Sequence, residues 1–438
     1  MKVLVLGSGG REHALAWRLS LDSNVESVLV FPGNPGMRIT PKLEMLQGEV
    51  TFTTALKHVT EHSVSLVVVG PEKFLFEGWV DQFTAAGVPA FGPTAAASFL
   101  EASKIRSKVF MRKNDISTAP FEVARTLAEA LKAIDAHPKW SGYVLKLSGP
   151  ALGKGVIVTR NKKDARIAAE QFFEFRPPGI EEGMVIEDCV TGREVSLFYA
   201  CVDEKYRFLA SACDHKRLND KDEGPNTGGM GAYSPATWVD QDMLRQIEVQ
   251  FVKPTLRGMK KQGTPFRGML FLGLMVSENS SGAPKLSLLE YNTRFGDPET
   301  QTFLPLLEGN FAGLLLAAAQ GDQEAFTSTP LKNKDAHAVH VVKAAKGYPG
   351  LFGGEIESGK KIEWNQNLAK SPTSAQVFFA GVSTQSTNRE QLITSGGRVL
   401  GITAEGSSKE QARLLVYESL SLVKFENEHF RKDIGAAE

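Results

Sequence analysis

The sequence predicts a multidomain protein that mixes α/β and α+β architecture. It expects an N-terminal domain on a parallel sheet, a larger central domain with a mobile lid, and a small C-terminal α/β domain. Three observations predict this. The chain has 438 residues, enough for two to four cores at roughly 100–200 residues each. Over the first hundred residues short apolar runs alternate with helical spacing, the mark of a parallel sheet. The pattern then changes twice, near residues 102 and 331. Domains at 1–102, 103–330 and 331–438 follow.

Residues 2–6 read as a buried strand and 11–21 as a helix with Leu15 and Leu19 on one face. Strands at 27–31, 65–69 and 88–91 end in "PGNPG", "GPE" and "GPT". In a parallel sheet such loops lie at the carboxyl ends of the strands and line the ligand crevice. The opening "KVLVLGSGGREHAL" has the Rossmann-like order of strand, glycine turn and helix. A dinucleotide fingerprint, however, needs glycine where Glu12 stands and a carboxylate where Phe31-Pro32 end the second strand. Nicotinamide binding is therefore disfavoured. The turn can still present backbone N–H groups to an anion, with Arg11 beside it. The plainer alternative is a tight turn that simply needs glycine.

In the central region, "YVLKLSGPALGKGVIVTR" (143–160) reads as two strands joined by a glycine loop. Lys154 in the loop and Lys146 on the strand suit a phosphate cover. "MVIEDCV" (184–190) is another strand, and "VSLFYACVD" with "RFLASACD" an antiparallel pair. "KLSLLEYNTRFGDPETQ" (285–301) is a strand entering a polar turn. Residues two apart share a strand face, so Glu290 and Asn292 point the same way, with Arg294 near that edge. A carboxylate and a carboxamide oxygen suit Mg²⁺ that keeps waters and bridges phosphates; a solvated edge strand is the alternative. In "DHKRLNDKDEGPNTGGMGAYSP" (214–235) the run from Thr227 to Gly231 can form an anion nest, or serve as a solvated linker. Short strands follow in "HAVHVVKAAKGYPG", "QVFFAGVS" and "GGRVLGITAEG", then a helix over 408–423.

Lys and Arg total 50 against 50 Asp and Glu. No broad basic field marks the chain for nucleic acid or an anionic membrane. A small-molecule substrate is expected instead. The three cysteines, Cys189, Cys201 and Cys213, offer no disulfide framework and suit a reducing, cytoplasmic setting. No second Cys or His sits at chelating spacing, so they read as buried apolar residues. No apolar run approaches the ~20 residues of a membrane span. The N-terminal run is broken by Gly7, Gly9 and Gly10 and followed by Arg11 and Glu12, unlike a signal peptide.

The motifs "GSGGREHALAW", "PGNPG", "VGPE", "FGPT", "GKGV", "DHKR", "GPNTGGMGAYSP", "EYNTRFGDPETQ", "KGYPG", "GGRVL" and "FRKDIG" occur in this order over essentially the whole chain. In them the chain resembles the phosphoribosylamine–glycine ligase family of ATP-grasp enzymes. The resemblance implies ATP-dependent ligation of glycine to 5-phosphoribosylamine in de novo purine synthesis, through glycyl phosphate. It implies a central ATP-grasp domain with its lid at about 120–190, and two cofactors: ATP, and Mg²⁺ (or Mn²⁺ in its place) on Glu290 and Asn292. By the same likeness Lys104, Lys146 and Lys154 meet the ATP phosphates. Glu187, Asp188 and Val190 border the adenine, and Glu194 takes the ribose hydroxyls. Lys154, Asp214, Lys216 and Arg294 stand nearest the chemistry. Thr227, Gly228 and Gly229 line the acceptor side. Gly9, Gly10, Arg11, Glu12, Gly33 and Asn34 face phosphoribosylamine. A monomer or weak dimer without nucleic-acid or membrane partners is expected, and the short stretch after "FRKDIG" implies no fused downstream enzyme.

The chain departs from the family pattern in places. Ser148, Pro150 and Leu152 replace Asp, Leu and Ala in the glycine loop, and Pro150 restricts it. Arg106 stands where an aromatic is usual, and Phe379 and Val382 replace His and Thr. Three alternatives remain: another ATP-grasp ligase such as a biotin carboxylase, a nicotinamide dehydrogenase, or a non-catalytic nucleotide-binding protein. "DHKR" with "GPNTGGMG" argues against the first, Glu12 and Pro32 against the second, and the Glu290–Asn292 pair against the third.

Overall fold

The computed structural model describes residues 1–138, 140–149, 155–278, 282–350, 354–364 and 375–436. Five parallel strands, β1 (Lys2–Gly7), β2 (Ser27–Pro32), β3 (Leu43–Met45), β4 (Leu66–Val69) and β5 (Ala90–Phe91), form the N-terminal sheet in the order β3-β2-β1-β4-β5. The strands read as continuous apolar runs because both faces are covered. Val3, Val5, Val28, Val30, Leu66 and Val68 meet Ala14, Leu15 and Leu19 of the helix Gly10–Ser20 on one side. Leu4, Leu6, Leu29, Phe31, Val67 and Val69 meet Val59, Phe74, Trp79 and Phe83 on the other. The first side also receives Phe311, Leu314, Leu315 and Ala318 from the helix Phe311–Gln320, so the chain returns to this domain late.

Among the described residues the largest sheet has eight strands, all antiparallel. In spatial order they are Pro284–Asn292, Arg267–Glu278, Arg193–Val202, Lys205–Asp214, Gly231–Ser234, His337–Ala344, Arg398–Gly406 and Gln376–Phe379. The pairing of Gly231–Ser234 with His337–Ala344 carries the sheet across residue 331, a long-range register that local periodicity does not encode. A separate four-stranded antiparallel sheet, from Phe121–Ala124 to Met184–Asp188, is covered by the helices Leu127–Ala136 and Lys162–Phe175. The expected multidomain α/β and α+β architecture is thus present. Cys189, Cys201 and Cys213 are buried and form no disulfide. Among the described residues no helix is long and apolar enough to cross a membrane.

Candidate active site

The floor of the site is one face of the large sheet. Strand register sets Glu290 opposite Gly273, Gly273 opposite Ser196, and Asn292 opposite Phe271. Glu194 and Asp214 extend the same face along the next two strands. A bulge makes this possible. Leu286 and Leu288 point into the core, and strict alternation would send Glu290 after them. The register slips at Leu289, so Tyr291 joins the core and Glu290 and Asn292 emerge on the opposite face. Further along that face Phe198, Ala200 and Val202 pack against the N-terminal domain. One surface is therefore interdomain core at one end and site floor at the other.

Glu290 is half-buried. Burial raises its pKa, but Lys216, Lys146, Lys104 and Arg294 outweigh this and hold it below the usual carboxylate range. Asn292 Oδ1 accepts from Arg294 Nη2 (3.0 Å), and Arg294 Nε lies 3.1 Å from Glu101 and 3.7 Å from Glu72. Among the described residues no cluster of three or more His, Cys, Asp or Glu could hold a metal by itself. The donor set is one ionised carboxylate and one carboxamide oxygen, hard ligands that suit a divalent cation whose remaining ligands are waters and phosphate oxygens.

Lys146 Nζ pairs with Glu187 Oε2 (3.0 Å) and donates to Leu289 O (3.4 Å), the carbonyl of the bulge residue. Glu187 Oε1 lies 3.1 Å from Lys108 Nζ. Lys108 escaped the sequence reading, although it stands one turn after Lys104 on the helix Lys104–Lys113. Burial pushes the Lys108 amine down to about 8 from 10.5, against the pull of Glu187. Between these values the unfolded chain binds more protons, so this group's contribution to stability rises with pH. The stability difference between wild type and Lys108→Met is expected to favour wild type by about 1–3 kcal/mol more at pH 10 than at pH 8. Denaturant unfolding at the two pH values checks this, and a flat difference removes the assignment.

Asp188 Oδ1 accepts from Ser141 N (2.9 Å), Asp188 N donates to Pro120 O (2.9 Å), and Val190 N donates to Asp188 O (3.0 Å). Ser148, one of the departures, bridges the four-stranded sheet to the start of the Lys104 helix: its Oγ accepts from Ile105 N (3.1 Å) and donates to Glu182 (2.8 Å). An aspartate there would face the Glu182 carboxylate. Arg106 stacks over Phe99 at 4.6 Å, a use that an aromatic would not share. Lys154, Pro150 and Leu152 lie outside the described residues.

The opening turn is organised by Glu12, which is only 2% exposed. Its carboxylate accepts from Gly9 N (2.7 Å) and Arg11 Nε (2.6 Å). A Cβ on Gly70 would lie 2.3 Å from Glu12 Oε1. Glu12 thus occupies the anion position that a dinucleotide pyrophosphate would need, and Gly9 N–H is already engaged. Arg11 also donates to Phe295 O (3.1 Å) and lies 3.9 Å from Glu72, which links it to Arg294. Gly10 faces Gln301, and Gly33 N donates to Gly7 O (3.1 Å). Asn34 is buried: Nδ2 donates to Ser8 O (2.7 Å) and Phe379 O (3.0 Å), and Oδ1 accepts from Gly36 N (3.0 Å). Phe379 N in turn donates to His13 Nδ1 (2.8 Å), so this departure lies at a contact between the N- and C-terminal parts.

On the far side of the floor Lys216 pairs with Glu194. Burial works against the Lys216 charge, but Glu194, Glu290 and Asp214 raise its pKa above the ordinary lysine value. Asp214 is pushed well above the carboxylate range by burial and by Glu299, and its Oδ1 is buried without a hydrogen-bond partner. Gly229, at φ +106, passes so close that a Cβ would lie 2.8 Å from Asp214 Oδ1 and 2.4 Å from Pro298 Cδ, so only glycine fits. Thr227 Oγ1 donates to Lys216 O (2.9 Å) and accepts from Gly229 N (3.0 Å). Gly228 N donates to Tyr348 Oη (2.9 Å), and Gly228 O accepts from Arg398 Nη1 (2.6 Å), whose Nη2 bonds Asp297 Oδ2 (2.8 Å). Glu72, Glu101, Asp297, Glu299, Tyr348 and Arg398 were all missed in the sequence. Several lie inside quoted motifs, and that was the only signal available.

Residues 1–101, 102–300 and 338–437 match models of the N domain, the ATP-grasp (A) domain and the C domain of phosphoribosylglycinamide synthetase. The phosphoribosylamine–glycine ligase of Chlorobaculum tepidum is 40% identical over 439 residues, covering 100% of this chain and 99% of that one. That of Escherichia coli O157:H7 is 39% identical, covering 99% and 98%. The crystal structure of phosphoribosylamine–glycine ligase from Thermotoga maritima superposes with a TM-score of 0.80 at 34% identity, covering 99% of this chain and 100% of that one. A biotin carboxylase from Campylobacter jejuni superposes with a TM-score of 0.67 over 99% and 94% of the two chains at 11% identity, a likeness of fold alone. With relatives at this identity along its full length, the chain belongs to the phosphoribosylglycinamide synthetase family, and its central domain is an ATP-grasp domain.

Proposed function

We propose that this chain joins glycine to 5-phosphoribosylamine at the expense of ATP, giving glycinamide ribonucleotide, ADP and phosphate for purine synthesis. The observation that carries the reading is the floor itself: Glu290 and Asn292 on one face, ringed by Lys104, Lys146, Lys216 and Arg294. A glycine carboxylate attacking a phosphate brings two anions together, so catalysis here is charge neutralisation and alignment, with no side-chain nucleophile. Mg²⁺ held by Glu290 and Asn292, with Mn²⁺ as a substitute, would supply further neutralisation of phosphate charge. Lys104 and Lys146 orient the ATP phosphates, and Asp188 and Val190 border the base. Lys216, Arg294 and the 227–229 run hold the acceptor side. Asp214 borders that side too, with burial and Glu299 pushing its carboxyl well above the usual range. The test is ADP release that requires glycine and phosphoribosylamine together; turnover with bicarbonate in place of both would defeat the reading.

The order of bond making has its own test. Glycyl phosphate formation carries one carboxylate oxygen of glycine into the released phosphate. Glycine labelled with ¹⁸O in its carboxylate is expected to give phosphate bearing one label, measured by mass spectrometry. Unlabelled phosphate with product still formed would rule out the acyl phosphate and leave the ligase assignment standing.

A further inference from the structure

Residues 217–226 form a hairpin, Arg217–Asn219 with Glu223–Asn226, that joins Lys216 to the 227–229 run. Residues 221–226 are exposed, so apolar burial does not hold the hairpin tip. A segment more than 200 residues away does. Arg431 of "FRKDIG" is only 2% exposed, an unusual place for a guanidinium without a specific task. It donates to Arg217 O (3.2 Å), to Asp222 Oδ1 (2.7 Å) and to both oxygens of Asp433 (2.7 and 2.8 Å). Asp433 Oδ2 accepts from Lys221 N (2.7 Å), Asp220 Oδ1 accepts from Lys432 N (2.7 Å), and His429 Nε2 donates to Leu218 O (2.9 Å). The tail is fixed at both ends. His429 exchanges backbone hydrogen bonds with Ala344 (2.8 Å each). Ile434 is fully buried beside Gly231, where a Cβ would lie 3.0 Å from it.

We infer that residues 429–434 are a clamp that positions the acceptor side, with Arg431 as its central positioning residue. The inference rests on the reading that Lys216 and the 227–229 run serve phosphoribosylamine. The connection is short. Thr227 N donates to Lys216 O (2.7 Å), and His215 and Met230 pair through His215 O (2.8 Å), so the hairpin root and the run move together. Misplacement by about an ångström at such a site is enough to cost up to about a hundredfold in rate. Among the described residues the hydrogen bonds of 429–434 do not reach Lys104, Lys146, Glu187, Asp188 or Val190, so its loss is expected to fall mainly on one substrate.

Arg431→Met is expected to raise the phosphoribosylamine KM about tenfold or more and to leave the ATP KM within about twofold. Hydrogen exchange in the 217–226 peptide should accelerate. Asp222→Asn, at a side chain 70% exposed, removes the charge from one arm without disturbing the core and should raise the same KM about threefold. It keeps the test open if Arg431→Met fails to fold. Lys216→Met, run alongside, tests the acceptor-side reading independently. Faster exchange with a raised phosphoribosylamine KM and an unmoved ATP KM supports the clamp. Unchanged exchange overturns it, as does faster exchange with unmoved KM values while Lys216→Met raises the phosphoribosylamine KM. If Lys216→Met also leaves that KM unmoved, the acceptor-side reading fails first and the clamp's role in binding falls with it.

Discussion

Glu290→Ala is expected to lower turnover by about 10² or more at saturating Mg²⁺, the scale for losing one preorganised electrostatic contact at a phosphoryl-transfer site. Glu290 stands at the centre of Lys216, Lys146, Lys104 and Arg294, which together hold it ionised despite burial. Its removal leaves four cations without the carboxylate that they share. Lys104, Lys216 and Arg294 are half-buried rather than buried, and Lys146 keeps Glu187 as a partner, so the fold is expected to persist. Nucleotide phosphates then meet a more positive floor. ADP affinity should hold or rise while turnover collapses, so binding and catalysis separate. Isothermal calorimetry with ADP and steady-state kinetics measure the two sides. Near-normal turnover in the variant would take Glu290 out of the metal site.

That site was partly legible in the sequence. The spacing of Glu290 and Asn292 showed that they share a face, which holds for any strand. It did not show which face: strict alternation after Leu286 and Leu288 would carry Glu290 into the core. Only the bulge at Leu289 resolves this, and a bulge depends on the register against Gly273 and Leu274 of the neighbouring strand. The parallel N-terminal sheet was readable because its strands are apolar throughout and its turns carry glycine. The use of its first turn was less readable. Glu12, with Pro32, disfavours a dinucleotide by its identity, yet its bond to Gly9 N appears only in three dimensions. Partners such as Arg398 with Gly228, or Lys108 with Glu187, join elements far apart in the chain. No local periodicity encodes such pairs. Family motifs marked the positions as special without saying what they touch.

Lys146→Met is expected to lower turnover by about 10²–10³ and to raise the ATP KM. Methionine keeps the length and apolar stem of the lysine, so the change isolates the charge. Lys146 joins three parts of the site. It pairs with Glu187, donates to the carbonyl of the bulge residue Leu289, and feels Glu290 across the floor. Removing one partner of a buried ion pair commonly costs about 3–5 kcal/mol. Here the loss should be smaller, because Lys108 still lies 3.1 Å from Glu187. The two lysines therefore make opposite predictions. Lys146→Met should change turnover far more than the unfolding midpoint. Lys108→Met, at a residue 2% exposed and tied to Thr118, should change the midpoint far more than turnover. Single-turnover phosphate release and thermal unfolding on both variants separate the roles. If Lys146→Met keeps turnover within about threefold of wild type, Lys146 is only a structural partner of Glu187, and the phosphate contact must come from Lys104 and the glycine loop.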